Sequence, residues 1–357
     1  MRTRVLRVDP AQPDPAVVEE AASALRAGKL VAFPTETVYG LGANALDPVA
    51  VEGIFEAKGR PATDPLIVHL AHIGQLSVCA SHIPLAARKL GLAFWAGPLT
   101  IILPKKPVVP DSVTAGLPSV ALRVPSHRAA RALMEMAGVP VAAPSANRFS
   151  RPSPTTAAHV LADLDGRIDI LLDGGPTEIG LESTIVDFTV DPPVMLRPGG
   201  LTLEQIRTVV PEVVAVARRG SADVAQAAPG QLLRHYAPQA EMTLYMGDLA
   251  AVIRRVAADT RTLTAGGARV GILAPEDDLL ALAPELAPMA AAGRVEVRPY
   301  GSRNDPARSA RELFAALRDL DAMGVSHIFA TVGADQGLGL AVQDRLTRAA
   351  EGRVRKV

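Results

Sequence analysis

Lys58, Arg60, Arg123 and Arg197 place positive charge beside strands or on strand faces. Thr35, Thr37, Ser119, Ser145, Asn147 and Ser183 place small hydrogen-bonding groups in similar positions. Arginine forks suit a carboxylate or a phosphate, and lysine suits a phosphate as a point charge. For any one of these residues an ordinary surface group is the favoured reading. As a set they predict a pocket for a small anionic or phosphorylated ligand.

Other chemistries find less support. His69 and His72 have no H-E-x-x-H context and no cysteine partner, so a packed or substrate-contacting histidine fits better than a metal ligand. Cys79 is the sole cysteine; it excludes an intrachain disulfide, fits a reducing cytosol, and reads as a core residue. Residues 40–45 match G-x-G-x-x-A, but the next helix starts only at Asp47-Pro48, after the pattern has ended. Gly28-Lys29 is followed by Leu30 rather than by Ser or Thr, so there is no Walker A loop. Ser145 is not in a G-x-S-x-G elbow, and nothing marks a Ser-His-Asp triad.

The elements that would position the polar set follow from local patterns. Asp14-Pro15 opens a helix that Gly28 ends, and the apolar run 30–33 is a strand stopped by Pro34. The stretch 34–42 is either a ligand loop, with glycines for close approach, or a plain strand-to-helix turn. Asp47-Pro48 opens a helix running to Gly59 with Val51, Ile54 and Phe55 inward. Lys58 lies four residues beyond Ile54, on that same side. In the strand 66–70, Ile67 and His69 share a face. The strand 119–124 alternates cleanly, so Ser119 and Arg123 point the same way, opposite Val120 and Leu122. Ser126 is expected to cap the helix that follows, the strand 139–143 ends in Pro144-Ser145-Ala146-Asn147, and Thr202 with Gln205 makes a capping box.

From about residue 242 a simpler alternation of strand and helix predicts a small, mostly parallel α/β domain. The expected division is 1–210, a linker at 211–241 and a second domain at 242–357. Acidic and basic residues balance at 37 each, which argues against tight RNA binding on charge alone and allows at most weak direct RNA contact. No apolar run is long enough to span a bilayer, and the N-terminus lacks a secretory h-region, so a cytoplasmic protein without membrane contact is expected.

Several stretches carry a family resemblance: FPTETVYGLGANA (33–45), KGRP with PLIVH (58–69), GPLTIIL (97–103), ALRVP (121–125), APSAN with the following SPT (143–155), EST (182–184) and LRPG (196–199). In them the chain resembles the Sua5/YrdC/YwlC family, the threonylcarbamoyl-AMP synthases. HYAP (235–238) and GLGLAVQDRL (337–346) are similar to the longer, two-domain Sua5 form. The resemblance implies an α/β chain with an N-terminal YrdC-like twisted mixed sheet and a smaller C-terminal Rossmann-like parallel domain. It implies that L-threonine, bicarbonate and ATP form threonylcarbamoyl-AMP and pyrophosphate, by a nucleotidyltransferase that serves tRNA modification through a separate transferase. Magnesium is expected with ATP, and no tightly bound organic cofactor. Lys58, Arg60, Asp64, Ser119, Ser145, Asn147, Ser153 and Arg197 are then the ATP set, with Tyr236 folding over the nucleotide from the linker. Thr37, Thr35, His69, Arg123, Ser183 and the backbone at Ala143 are the threonine set, Arg123 taking the carboxylate. No general base is assigned. The sequence departs from the family at Asp64, where asparagine is common, and at Phe149-Ser150-Arg151, where glycine often follows the SAN loop.

Overall fold

The computed structural model describes residues 2–215 and 236–357. These divide into one unit of 2–149 with 153–215 and a second of 150–152 with 236–357. Of the expected linker, residues 216–235, including His235, lie outside the described residues. At its edges, Val214 and Ala215 pair as a strand of the first unit, and Tyr236 belongs with the second.

In the first unit the chain order is β1 (Arg4–Arg7), α1 (Pro15–Arg26), β2 (Val31–Phe33), β3 (Gly40–Asn44), α2 (Pro48–Lys58), β4 (Ile67–His69), α3 (Leu76–Cys79), α4 (Leu85–Phe94), β5 (Leu99–Pro104), α5 (Asp111–Thr114), β6 (Ser119–Arg123) and α6 (Arg128–Ala137). It continues through β7 (Val141–Ala142), α7 (Ala157–Leu164), β8 (Ile170–Asp173), β9 (Thr184–Asp187), β10 (Val194–Arg197), α8 (Leu203–Arg207) and β11 (Val214–Ala215). The strands form one sheet in the order β1-β8-β2-β3-β7-β4-β6-β5-β9-β10-β11. Pairing is mixed: β4 lies parallel to β6, whereas β5 and β6 are antiparallel. Helices cover the sheet through small apolar side chains, with Val51, Ile54, Leu90, Leu122 and Val160 fully buried.

The Asp-Pro starts work as the sequence implies. The Asp47 carboxylate accepts from the N–H of Val49 and Ala50, and Gly59 closes α2 in the left-handed region at φ 64°. The capping box of Thr202 and Gln205 is formed. Ser126 does not cap α6, however. His127 stands at that position without a side-chain cap bond, and the Ser126 N–H donates instead to Glu36 at 3.1 Å.

A second departure concerns the glycines after Phe33. Gly40 to Asn44 is a strand, antiparallel to β2 with Val31 opposite Gly42 and Phe33 opposite Gly40. A Cβ at Gly42 would stand 2.8 Å from the Phe33 ring and 2.9 Å from Val141. Gly42 is therefore glycine because two strands pack tightly across it, not because a ligand approaches.

The second unit contains β12 (Glu241–Met246), α9 (Leu249–Ala265), β13 (Val270–Ala274), α10 (Glu276–Ala291), β14 (Val295–Pro299), α11 (Pro306–Ala322), β15 (His327–Thr331), α12 (Leu338–Ala349) and β16 (Val354–Lys356). Its sheet, in the order β14-β13-β15-β12-β16, is parallel throughout. The apolar stripe expected of α11, Ala310, Leu313, Phe314 and Leu317, is buried. The short strand β16 carries charged residues on a sheet edge, a pattern with no apolar alternation to reveal it. Among the described residues no helix is long and apolar enough to cross a membrane.

Candidate active site

Strand register assembles a polar row. His69 of β4 is the Cα partner of Arg123 of β6, and Arg123 is in turn the partner of Thr100 of β5. Thr100 Oγ1 lies 2.7 Å from Ser183 Oγ, just ahead of β9. All four side chains are buried, beside strand neighbours such as Val68, Ile101 and Leu122 that are aliphatic. Burying polar groups costs free energy unless they are satisfied, so such a row marks a place where the fold gives up apolar packing for binding.

The loop before β3 completes this side. Thr35 Oγ1 donates to the Val38 carbonyl at 2.6 Å and accepts from the N–H of Thr37 and Val38, a local turn that shapes the loop. Its hydroxyl also meets that of Thr37 at 2.8 Å. Thr37 Oγ1 accepts from Arg123 Nη2 at 2.8 Å. Arg123 Nη2 further binds the Glu36 carboxylate at 2.8 Å, a pair in which both side chains are almost wholly buried. The Ala143 N–H is held by the Ile67 carbonyl at 2.8 Å, so a ligand contact from this backbone falls to the Ala143 carbonyl. The structure thus brings Thr35, Thr37, His69, Arg123, Ala143 and Ser183 around one locus.

His69 is fully buried, its ring set edge-on to Phe33, with Nδ1 at 3.2 Å from the Ile67 carbonyl. Burial, and secondarily the nearby Arg123 charge, holds the imidazole far below its ordinary value, at about 3. It is neutral at physiological pH and works through hydrogen bonds rather than as an imidazolium. In the unfolded chain the same group takes up a proton near pH 6.5. Its contribution to stability is therefore fully present above pH 6.5 and is lost as pH falls toward 3. Between pH 7 and 5 the protein should lose about 2 kcal/mol more stability than His69→Gln does, measured by denaturant unfolding at each pH.

The cationic side chains divide into smaller groups. Lys58, at the end of α2, donates from Nζ to the Ser145 carbonyl at 2.6 Å and the Asn147 carbonyl at 2.5 Å, fastening the loop after β7. Arg197 of β10 reaches the Ser183 carbonyl from Nη2 at 2.9 Å and the Ser183 hydroxyl at 3.3 Å. This approach needs Gly199, where a Cβ would fall 2.3 Å from the Glu182 carbonyl. Ser153 donates to the Glu182 carboxylate. Arg60 pairs with Asp64 at 3.0 Å while its Nη2 also binds the Pro65 carbonyl, so the carboxylate that departs from the family faces a buried guanidinium. Ser119 shares a strand face with Arg123, four residues and roughly 13 Å away.

Tyr236 is placed in the second unit, buried, with its ring 5.2 Å from that of Phe314 and beneath the Arg345 guanidinium at 5.3 Å. Cys79 is buried, and desolvation pushes its thiol up to about 11, which leaves it unreactive. Three site neighbours carried no separate signal in the sequence: Glu36 on Arg123, Thr100 on Ser183 and Glu182 on Ser153. Thr100 becomes visible only once the β5–β6 register is known.

A mixed-sheet unit with buried arginines on or beside its strands, together with a parallel α/β unit, defines a two-unit α/β class. The family model described as Telomere recombination, Sua5/YciO/YrdC, matches residues 23–199. That described as Threonylcarbamoyl-AMP synthase, C-terminal domain, matches residues 201–351. The chain belongs to the Sua5/YrdC family, in its two-domain form. It is 46% identical to the threonylcarbamoyl-AMP synthase of Pyrococcus abyssi, over 94% of this chain and 95% of that one. It is 44% identical to the Bacillus subtilis protein of the same name, over 94% of each. The crystal structure of P. abyssi Sua5 complexed with L-threonine superposes with a TM-score of 0.89 at 44% identity, covering 99% of this chain and 100% of that one.

Proposed function

We propose that this protein is an L-threonylcarbamoyladenylate synthase, joining L-threonine, bicarbonate and ATP to give threonylcarbamoyl-AMP and pyrophosphate. The observation that carries the reading is the buried row of His69, Arg123, Thr100 and Ser183, in a chain whose full length aligns with a relative crystallised with L-threonine. Arg123 takes the amino acid's carboxylate, and Thr37, His69, Ser183 and the Ala143 carbonyl surround the rest. Lys58, Arg60 and Arg197 neutralise the triphosphate, with Asp64, Ser119, Ser145, Asn147 and Ser153 at the nucleotide.

The free amine of threonine attacks the carbon of bicarbonate: an N–C bond forms, a C–O bond of bicarbonate breaks and water leaves, so that the nitrogen becomes a carbamate. A carbamate oxygen attacks the α-phosphorus, the bond to the β-phosphate bridging oxygen breaks, and pyrophosphate leaves. This chemistry requires charge neutralisation and placement more than a strong base. ATP enters as its magnesium complex. The ion is carried mostly by phosphate oxygens and water, as this cation usually is at a triphosphate. The product passes to a separate transferase that modifies tRNA. With 13C-labelled bicarbonate, mass spectrometry should find one labelled carbon in an adenylate containing threonine. An unlabelled threonyl adenylate would overturn the reading.

A further inference from the structure

We propose that Glu36 is a positioning residue for the amino-acid substrate: its carboxylate locks the Arg123 guanidinium so that its remaining donors face the substrate's carboxylate. The proposal rests on the reading above that Arg123 takes that carboxylate.

Both Glu36 oxygens are engaged. Oε1 accepts from Arg123 Nη2 at 2.8 Å, and Oε2 accepts from the Ser126 N–H at 3.1 Å. The carboxylate therefore cannot rotate without losing a bond. The residue's own backbone is also held, its carbonyl accepting from the Ile179 N–H at 2.8 Å. On the arginine, Nη2 is shared between Glu36 and Thr37 Oγ1, each at 2.8 Å. With both N–H groups of one nitrogen used, the plane of the guanidinium is set. Arg123 Nε is left buried with no acceptor among the described residues. A buried donor without a partner is costly in a folded chain. Here it is accounted for if an anionic ligand supplies the acceptor. A mere stabilising pair would need only one contact between the two side chains. The fork from Glu36 to both Arg123 and Ser126 ties the orientation of the arginine to the end of its own strand.

The test compares L-threonine with L-threonine amide, which lacks the carboxylate charge, by calorimetric titration, alongside steady-state kinetics. Wild-type protein should bind threonine at least tenfold more tightly than the amide. In Glu36→Gln, one amide oxygen cannot accept from both Arg123 and Ser126. The threonine KM should rise about tenfold, the ATP KM should stay within twofold, and the preference over the amide should shrink by the same factor as the KM rises. A Glu36 that only stabilises the fold would lower the melting temperature and leave both KM values and the preference intact, which overturns the proposal. Wild-type protein that binds threonine and amide equally would instead overturn the reading of Arg123. If Glu36→Gln does not fold, Glu36→Asp, which keeps the charge but shortens its reach, decides on the same criteria.

Discussion

Replacing Arg123 by alanine should raise the L-threonine requirement by roughly 30- to 5000-fold, because truncating one member of a buried, hydrogen-bonded charge pair costs about 2–5 kcal/mol. The ATP requirement should move by only a few-fold. Arg123 is buried in the centre of the polar row, in register with His69 and Thr100 and bonded to Thr37. Its loss also takes from the buried Glu36 carboxylate the cation it pairs with. Breaking such a pair typically destabilises a fold by about 3–5 kcal/mol, so the thermal midpoint should fall as well. The double variant Arg123→Ala with Glu36→Gln removes the stranded charge and should recover much of that midpoint while the threonine defect persists. Steady-state kinetics with each substrate varied in turn checks the split. Equal losses on threonine and ATP would mean that Arg123 does not belong to the amino-acid side.

Lys58→Met should lower kcat by about 10²–10³-fold, the size usual for loss of one electrostatic stabiliser in a water-poor site. Methionine keeps an apolar stem of similar length while removing the ammonium. In the structure that ammonium sits on the carbonyls of Ser145 and Asn147. It therefore holds the loop and brings positive charge to the same place. Being at the last residue of α2, it also opposes the partial negative charge of the helix end. Threonine binding measured without nucleotide should change little, since Thr37, His69, Arg123 and Ser183 hang on other elements. A variant with full turnover would remove Lys58 from the phosphate site.

Much of this was legible in the residues themselves. Alternation placed Ser119 and Arg123 on one face, and an Asp-Pro start with a glycine stop delimited α2 and so fixed Lys58 at its end. The proposal of an anionic ligand rests on the types of side chain alone. Long-range pairing was not legible. Nothing local says that Glu36 finds Arg123, since the two are 87 positions apart. Nor does local pattern show that residues 40–44 return as a strand, because Gly-Leu-Gly reads as loop chemistry until Phe33 and Val141 are seen pressed against Gly42. Ser126 misled for a related reason. Its type suits a helix cap, but a distant carboxylate took its N–H.

The central claim is most directly tested by pyrophosphate release from ATP, followed with each substrate omitted in turn. Release should require L-threonine and bicarbonate together, and should fall to background when either is absent or when L-serine replaces threonine. Equal release with serine, or without bicarbonate, would contradict the account.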